Sequence, residues 1–391
     1  MNFPMHETSS ALKILAPTRY PWQFNGPRQS RHDILIRSFV PMNYLSKRCE
    51  GVTLFNPFPL ARVNMIHAFN RIPLGVKPFL IGFESHLPRG FGIEGSWFFK
   101  AMRGRLASPQ CRAIVAISQY ARRQFVKQHA GFPEFDALMA KLHVRYPNLP
   151  VPEGPDQFSE NGEFRLVFVG NHFGRKGGYV ALRLAQLAHQ EGLPISVDIV
   201  SALEVGAMSW TDPLAPGYFH QYEPLLSLPN VRSHGKLPNK EVLQLTARAH
   251  FSLLPTFSDS FGYSAIEAMI NYTPVLATAQ GALPEFITDG GNGILLPLAV
   301  DAAGEWVHIA HPDRASLEYA TLYSQEIDSL AREALARLRP LLADRAAYGR
   351  MRQNARDTAV RLFSAADANR FWDDFYSSLW SGALPPGDDG R

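Results

Sequence analysis

The amino-acid sequence predicts an α/β protein with two doubly wound domains, and three observations lead to this fold class. Short apolar runs, typical of buried strands, alternate with amphipathic helical segments along most of the chain. The alternation breaks at 147–164, where "PNLPVPEGPDQFSENGEF" has the composition of a linker, and then restarts. The length of 391 residues suits two domains. Two such domains are expected to face a central cleft lined by the carboxyl ends of both sheets.

The linker sets the predicted domain boundaries. The first domain covers 1–150 and the second 151–365, and residues 366–391 form a C-terminal helix that packs back on the first domain and ends in a disordered tail. The strands predicted in the first domain are 12–17, 52–57, 63–70, 78–84, 113–118 and 141–150. A basic amphipathic helix at 119–128 follows Ser118.

The second domain repeats this alternation. Strands are predicted at 165–170, 195–201 and 251–256, and helices at 179–192, at 240–250 and from about Ala265. Charged helical sequence follows at 328–363, and an aromatic amphipathic helix at 368–380. Periodicity is weak at 299–325, so no element is predicted there.

The composition is that of an ordinary globular protein, with 46% hydrophobic and 19% charged residues. Cys49 and Cys111 give neither a disulfide framework nor a metal-binding spacing, so a reducing, cytoplasmic setting is expected. No apolar stretch approaches the about 18 residues of a membrane span. The N-terminal sequence lacks the pattern of a signal peptide.

The net charge of +4 is distributed unevenly. Residues 1–150 hold 20 Lys+Arg against 7 Asp+Glu, which is +13, whereas 151–391 hold 19 against 28, which is −9. The basic half is expected to attract anionic partners, namely phosphorylated substrates, acidic lipid headgroups or nucleic acid. A solvated basic face without a partner is the alternative.

The segment "FVGNHFGRKGGYVALRLA" (168–185) ends a strand at Gly170 and begins a helix near Gly178. Glycines let the backbone approach a ligand, helix N-termini favour anions, and Arg175 and Lys176 add two cations just before the helix. This pattern is compatible with a diphosphate site and also with an ordinary surface loop. It is neither a Walker A loop nor a GxGxxG motif.

The segment "SDSFGYSAIEAM" (258–269) follows the strand at 251–256 and carries Glu267 in an apolar run. The spacing from Ser264 to Glu267 matches a capping box, in which Glu267 folds back on the Ser264 N–H. In the alternative, Glu267 points into the cleft and accepts hydrogen bonds from a ligand diol. The spacing alone favours the cap.

Several ordered motifs together resemble the family 4 (GT4-type) retaining glycosyltransferases of the GT-B fold, which pairs two Rossmann-like domains. They are "IVAISQYARRQF", "VFVGNHFGRKGG", "LPNKEVLQLTARAHFSLLPT", "DSFGYSAIEAMINYTPVLATAQGALPEFI" and "GGNGILLP". The resemblance covers most of 110–300 and part of the helical tail and is weaker over 1–110.

The resemblance implies that the basic first domain, 1–150, binds the acceptor and that the second domain, 151–365, binds the nucleotide sugar. It also implies a role for each matched position. Glu267 would bind the ribose of a sugar nucleotide, Asp259 the donor sugar, and Lys176 with Arg175 the leaving diphosphate. The other implied donor-binding positions are the backbone of Ser260, Phe261, Gly262, Tyr263 and Ser264, the loop glycines Gly170 and Gly26, and Lys236 and Leu237 in the nucleobase loop 233–239.

Some positions depart from the family pattern. Asp259 stands where glutamate is usual, Asn171 stands where arginine is common, with Arg175 as a possible substitute, and Tyr272 replaces a glycine at the end of a helix.

In "PFLIGFESHLPR", Glu84 occupies the place of a frequent histidine, and His86 follows two residues later. Either would meet the donor sugar or orient the acceptor, although His86 is equally compatible with a loop histidine that has no role. His67 and Asn70 are weaker candidates.

The implied activity is retaining transfer of a sugar from a UDP- or GDP-sugar to an anionic or lipid-linked glycan acceptor, in polysaccharide or lipopolysaccharide-type biosynthesis. No cofactor and no metal are expected, because the chain lacks an Asp-Xaa-Asp motif. The expected location is the cytoplasm, with peripheral contact between the basic domain and an anionic membrane, and no nucleic acid is expected as a partner.

The alternatives to this transferase activity are a non-catalytic nucleotide-sugar-binding subunit and a GT-B nucleotide-sugar epimerase. The spacing of Asp259 and Glu267 argues against the epimerase.

Overall fold

The computed structural model describes residues 11–18, 20–42, 49–55, 62–90, 92–153, 156 and 162–383. The chain divides into two compact units: Met1–Pro150 together with Phe363–Arg391, and Val151–Leu362. The end of the strand predicted at 52–57 and most of the tail predicted to be disordered lie outside the described residues.

The first unit is built on a six-stranded sheet. Its strands and those of a small second sheet are β1 (Lys13–Pro17), β2 (Asp33–Arg37), β3 (Phe39–Pro41), β4 (Val52–Phe55), β5 (Met65–Phe69), β6 (Ile72–Pro73), β7 (Phe79–Phe83), β8 (Cys111–Ala116) and β9 (Leu142–Val144). Its helices are α1 (Tyr20–Asn25), α2 (Trp97–Ala107), α3 (Gln119–His129) and α4 (Phe135–Met139). The large sheet has the order β2-β1-β5-β7-β8-β9, and all its pairs are parallel.

Two features of this unit differ from what the sequence pattern predicts. β2 is an edge strand that the pattern does not reveal, because it begins with Asp33 and ends with Arg37 and no residue in it is fully buried. β4 belongs to a separate three-stranded sheet of order β3-β4-β6, in which β3 and β4 are antiparallel. That sheet contributes Phe39, Pro41 and Thr53 to the wall of a cavity of about 430 Å³.

The second unit contains another parallel six-stranded sheet. Its strands are β10 (Phe164–Val169), β11 (Ile195–Val200), β12 (Val231–Gly235), β13 (Phe251–Leu254), β14 (Val275–Thr278) and β15 (Gly293–Leu296), in the order β12-β11-β10-β13-β14-β15. Its helices are α5 (Gly178–Gln190), α6 (Asn239–Arg248), α7 (Tyr263–Met269), α8 (Leu317–Ala343) and α9 (Arg345–Phe363). All pairs are parallel, so the loops after β10 and its neighbour β13 leave the same edge of the sheet.

The weakly periodic stretch 299–325 contains the beginning of a long helix. α8 begins at Leu317 rather than near residue 328, with the Ser316 side chain accepting a hydrogen bond from the Tyr319 N–H as an N-cap. Before it, Trp306 is completely buried among turns. Hydrophobic residues in turns do not recur at a regular spacing, so a residue buried among turns, such as Trp306, cannot be recognised from the sequence pattern.

The last helix, α10 (Ala365–Ser381), packs on the sheet of the first unit. Trp372, Phe375 and Tyr376 form a buried cluster with apolar side chains of β1, β5, β7 and β8. His67 on β5 is also buried, its Nδ1 lies 2.8 Å from the Tyr376 hydroxyl oxygen, and its ring lies against Trp372. Burial lowers the pKa of His67 to about 3, so this histidine is neutral and belongs to the core.

Removing the Tyr376 hydroxyl is expected to destabilise the fold. In Tyr376→Phe, the buried imidazole of His67 loses its hydrogen-bond partner, which costs about 1–3 kcal/mol of unfolding free energy. Urea unfolding at neutral pH measures this loss. Tyr272→Phe is the matched control, because the Tyr272 ring stacks on Arg356 and the stacking survives the substitution. Equal stability of the two variants would show that the hydrogen bond contributes nothing.

Candidate functional site

Two loops at one edge of the second sheet bring a lysine and an aspartate together. Lys176 precedes α5, Asp259 follows β13, and their side chains form an ion pair. Burial raises the pKa of Asp259, but the charges of Lys176 and Arg175 outweigh burial and hold this pKa below its usual value. Asp259 is therefore a carboxylate, and it fixes the position of the Lys176 ammonium group.

Arg175 is buried beside this pair. Its Nη1 donates to the Ser258 carbonyl oxygen at 2.5 Å, and its guanidinium lies 4.9 Å from the ring centre of Trp210. Trp210 in turn donates from Nε1 to the Ser258 Oγ at 3.1 Å and is 49% exposed. Trp210 could not be singled out from the sequence, because it lies between β11 and β12 in a stretch without periodicity.

The loop that carries Lys176 packs backbone against backbone on the loop after β13. Gly177 has a φ of 84°, and a Cβ there would overlap the Pro255 carbonyl oxygen. A side chain at position 177 would therefore push the two loops apart. At the beginning of the loop that carries Lys176, the Gly170 carbonyl oxygen accepts a hydrogen bond of 2.6 Å from Ser201 Oγ.

Gly177→Ala is expected to displace Lys176 and to destabilise the fold. Gly192→Ala is the matched control, since Gly192 has a φ of 65° and open space around the added Cβ. Both variants carry the strain of left-handed backbone, and only Gly177→Ala adds a steric clash, which is expected to cost about 1–3 kcal/mol more. Urea unfolding compares the two. If Gly177→Ala and Gly192→Ala lose the same unfolding free energy, separating the two loops costs no stability.

The helix α7 begins two residues earlier than the sequence pattern predicts. Gly262 occupies its N-cap with a φ of 88°, and Tyr263 is its first residue. Ser264 therefore lies inside the first turn, and the capping-box interpretation of Glu267 is wrong. Phe261 is fully buried, so its side chain belongs to the core, whereas Ser260 is only half-buried.

Glu267 lies in the fifth position of α7 and is partly buried. Burial raises the pKa of its carboxyl group to about 7, although a hydrogen bond with the Asn239 side chain acts in the opposite direction. Asn239 is the first residue of α6 and directly follows the loop of Lys236 and Leu237. The structure therefore places the carboxylate predicted to bind ribose next to the loop predicted to hold the nucleobase.

The loop predicted to hold the nucleobase, 233–239, is shorter in the structure, because 233–235 belong to β12 and Asn239 begins α6. Leu237 is half-buried, and Lys236 is exposed with its Nζ 3.8 Å from Glu204 Oε1. The other carboxylate oxygen of Glu204 lies 3.6 Å from His172 Nδ1 in the loop of Lys176. Glu204, which the sequence did not single out, thus connects the loops after β10 and β12.

The remaining predicted residues belong to the first unit. Glu84 follows β7 and exchanges hydrogen bonds with Asn70, which follows β5, and His86 is half-buried two residues further on. Gly26 follows α1 instead of lying directly after β1. It is buried against the Trp22 ring, with its carbonyl bonded to the Asn148 side chain at 2.9 Å.

Comparison with known proteins finds a family model that matches part of the chain. Residues 163–307 match the family model "Glycosyl transferases group 1". Most of the second unit is thus similar to group 1 glycosyltransferases. The match contains Lys176, Asp259 and Glu267, the residues that the two loops and α7 bring to one edge of the sheet.

Curated relatives match a similar part of the chain. An uncharacterised glycosyltransferase of Methanocaldococcus jannaschii is 25% identical over 36% of this chain and 42% of its own length. The D-inositol 3-phosphate glycosyltransferase of Thermobifida fusca is 30% identical over 34% of this chain and 30% of its own length. The chain thus spans less than half the length of these relatives.

The fold as a whole is similar to that of a solved structure. The Anabaena protein HepE in complex with UDP superposes with a TM-score of 0.60 at 15% identity, over 94% of this chain and 100% of HepE. HepE structures with UDP-glucose and with UDP and glucose also match. The predicted GT-B class, with two Rossmann-like domains and C-terminal helices, is confirmed.

Within the described ranges, no helix has the length and apolar character needed to cross a membrane.

Proposed function

We propose that this protein is a GT4-type retaining glycosyltransferase that transfers a hexose from a UDP- or GDP-sugar to a glycan acceptor. The observation that carries the proposal is the pairing of Lys176 with Asp259 beside Arg175 within the group 1 domain. The complexes of HepE with UDP and UDP-glucose support a nucleotide-sugar donor. Relatives named for D-inositol 3-phosphate support an anionic acceptor.

The donor would lie along the edge of the second sheet. The carboxylate of Glu267 would accept hydrogen bonds from the ribose, and Lys236 and Leu237 would contact the base. The backbone of 260–264 and Gly170 would approach the diphosphate, and Asp259 would accept a hydrogen bond from the sugar. The ionised state of Asp259 suits it as an acceptor.

Transfer breaks the bond between the anomeric carbon and the diphosphate oxygen and forms a bond from that carbon to an acceptor hydroxyl oxygen. The leaving diphosphate gains negative charge, which Lys176 and Arg175 would stabilise. Both cations are already held in place, Lys176 by Asp259 and Arg175 by the Ser258 carbonyl. In same-face attack, the leaving phosphate takes the acceptor proton, and no metal or other cofactor is required in this proposal.

The setting we propose is the cytoplasm, in the synthesis of a polysaccharide or a lipopolysaccharide-type glycan. The net charge of +13 on residues 1–150 supports peripheral contact with an anionic membrane or a lipid-linked acceptor. Nucleic acid is not part of this proposal. His86, which lies near Glu84 in the chain, remains a candidate for orienting the acceptor.

The proposal is tested by incubating the full chain with a panel of UDP- and GDP-sugars, with and without acceptor extracts. Slow release of nucleoside diphosphate from one donor, accelerated by an acceptor, is the expected result. Tight binding without turnover in any extract would identify a non-catalytic nucleotide-sugar-binding subunit. Interconversion of nucleotide sugars without transfer would identify an epimerase.

A further inference from the structure

We propose that Trp210 is a positioning residue that holds the Arg175 guanidinium in place for the leaving diphosphate, an inference that rests on the proposed transfer. The guanidinium carbon of Arg175 lies 4.9 Å from the centre of the Trp210 ring. A cation over the face of an aromatic ring is attracted by the partial negative charge of that face, and tryptophan attracts it most strongly. Trp210 therefore acts on the reaction through Arg175 and needs no contact with the substrate.

Arg175 is a buried cation with few partners in the protein. It is 9% exposed, and its buried Nε has no hydrogen-bond partner in the described part of the chain. Among the described residues, the guanidinium donates one hydrogen bond, from Nη1 to the Ser258 carbonyl oxygen at 2.5 Å, although it carries five N–H groups. Trp210 Nε1 donates to the Oγ of the same serine at 3.1 Å. A single hydrogen bond does not fix the orientation of a guanidinium, so packing against the Trp210 ring has to complete it.

Two carboxyl groups near Arg175 make its orientation important. Burial raises the pKa of both Asp212 and Asp259, and the charge of Arg175 acts in the opposite direction on each, together with the charge of Lys176 at Asp259. Within the described residues, Arg175 forms an ion pair with neither: Asp259 pairs with Lys176, and Asp212 accepts a hydrogen bond of 3.0 Å from the backbone N–H six residues earlier. A guanidinium paired with either carboxyl group would offer less net positive charge to a diphosphate. The Trp210 ring, against one face of the guanidinium, opposes this movement.

The turn that carries Trp210 is fixed to the beginning of α8. Arg314, just before this helix, donates from Nη1 to the Asp212 carbonyl oxygen at 2.9 Å. The Tyr319 hydroxyl, on a fully buried side chain in the first turn of α8, donates to the Thr211 carbonyl oxygen at 2.5 Å. Two backbone carbonyl groups within two residues of Trp210 are thus held in place. The ring therefore has a fixed position beside the guanidinium, although Trp210 is 49% exposed.

Trp210→Leu is expected to lower kcat for turnover of the nucleotide sugar about tenfold and to change the KM of the donor less than about threefold. Leucine keeps apolar cover over the guanidinium and removes the aromatic face, whereas Trp210→Phe keeps an aromatic face and should lose less activity. Trp380→Leu on α10 is the matched control, since Trp380 is 51% exposed. The inference is overturned if Trp210→Leu loses no more activity than Trp380→Leu, or no more than Trp210→Phe.

A double-variant cycle tests whether Trp210 acts through Arg175. Arg175→Gln removes the charge, so adding Trp210→Leu to it should change kcat by less than about twofold. If the two losses multiply instead, Trp210 acts independently of Arg175 and the inference is wrong. Melting temperatures show whether each variant is folded. If Arg175→Gln is not, Arg175→Lys takes its place with the same expectation, because lysine has no planar guanidinium to orient.

Binding of UDP and GDP separates this inference from the proposed function, because it needs no turnover. Their terminal phosphate carries the charge that the leaving diphosphate gains during transfer, so Trp210→Leu should weaken binding about tenfold in calorimetry with the full chain. Weaker binding in Trp210→Leu, without turnover of any nucleotide sugar by the wild type, refutes the transfer and supports the positioning. Equal binding in Trp210→Leu and the wild type refutes the positioning, whether or not a sugar is transferred. If neither diphosphate binds and no sugar is turned over, both are refuted.

Discussion

Lys176→Met is expected to lower the turnover of the nucleotide sugar by about 10²–10³-fold, as removal of a preorganised charge-stabilising group does in other enzymes. The methionine keeps an unbranched side chain about as long as the aliphatic part of the lysine and removes the charge that would meet the leaving diphosphate. Release of nucleoside diphosphate measures the effect. Lys240→Met on α6 is the matched control, since Lys240 is an exposed lysine.

The same substitution is expected to destabilise the protein, and a double variant separates the two effects. Without Lys176, the buried carboxylate of Asp259 loses its main counter-charge, its pKa rises, and the unfolding free energy falls by up to about 3–5 kcal/mol. Adding Asp259→Asn removes the unpaired charge, so the double variant should regain stability while remaining inactive. An active double variant would show that Lys176 has only a structural role.

The sequence predicted most of the second unit because its signals are local. Strands such as 165–170 are continuous apolar runs, and the loop of Arg175 and Lys176 stands out through its glycines and cations. The pairing of Lys176 with Asp259 could not be predicted from spacing, because the two residues are 83 positions apart and meet only when β10 and β13 pair. The sequence suggested separate contacts for them, whereas the structure shows one ion pair.

Residues whose role depends on the fold left no local signal. Trp210 covers Arg175 from a stretch without periodicity, and Asn239 reaches Glu267 only because α6 and α7 lie side by side. Asn70 was a weak candidate, since its left-handed backbone is invisible in the sequence. The edge strand β2 was missed for a similar reason, as partial exposure removes the apolar run that marks a central strand.

Glu267→Gln is expected to weaken binding of the nucleotide sugar and, at the same time, to stabilise the free protein at pH 8. The ionised carboxylate is a stronger acceptor for ribose hydroxyls than an amide, so its loss should reduce affinity by about 10–100-fold. Glu241→Gln is the matched control on α6, where the glutamate is exposed. Calorimetry with the donor that binds the wild type most tightly measures the affinities.

The stability effect follows from the pKa of about 7 that burial gives to Glu267, compared with 4.5 for an ordinary glutamate. The folded protein holds this proton more tightly than the unfolded chain, so the group favours folding below pH 4.5 and its contribution is lost as the pH rises through about 7. Glu267→Gln should therefore raise the melting temperature most at pH 8 and hardly at all near pH 4.5. If Glu267 instead capped the helix, Glu267→Gln would lower the melting temperature at every pH.

The same titration sets the pH dependence of donor binding. Hydrogen bonds from the ribose favour the carboxylate, so binding to the wild type must release a proton below pH 7, and affinity should fall by up to about tenfold per pH unit there. The diphosphate of a nucleotide sugar does not titrate near neutrality, so the change belongs to the protein. Glu267→Gln should lose this dependence while Glu241→Gln retains it. If the wild type and Glu267→Gln show the same pH profile, Glu267 does not bind the donor, and the site on the second sheet must be placed elsewhere.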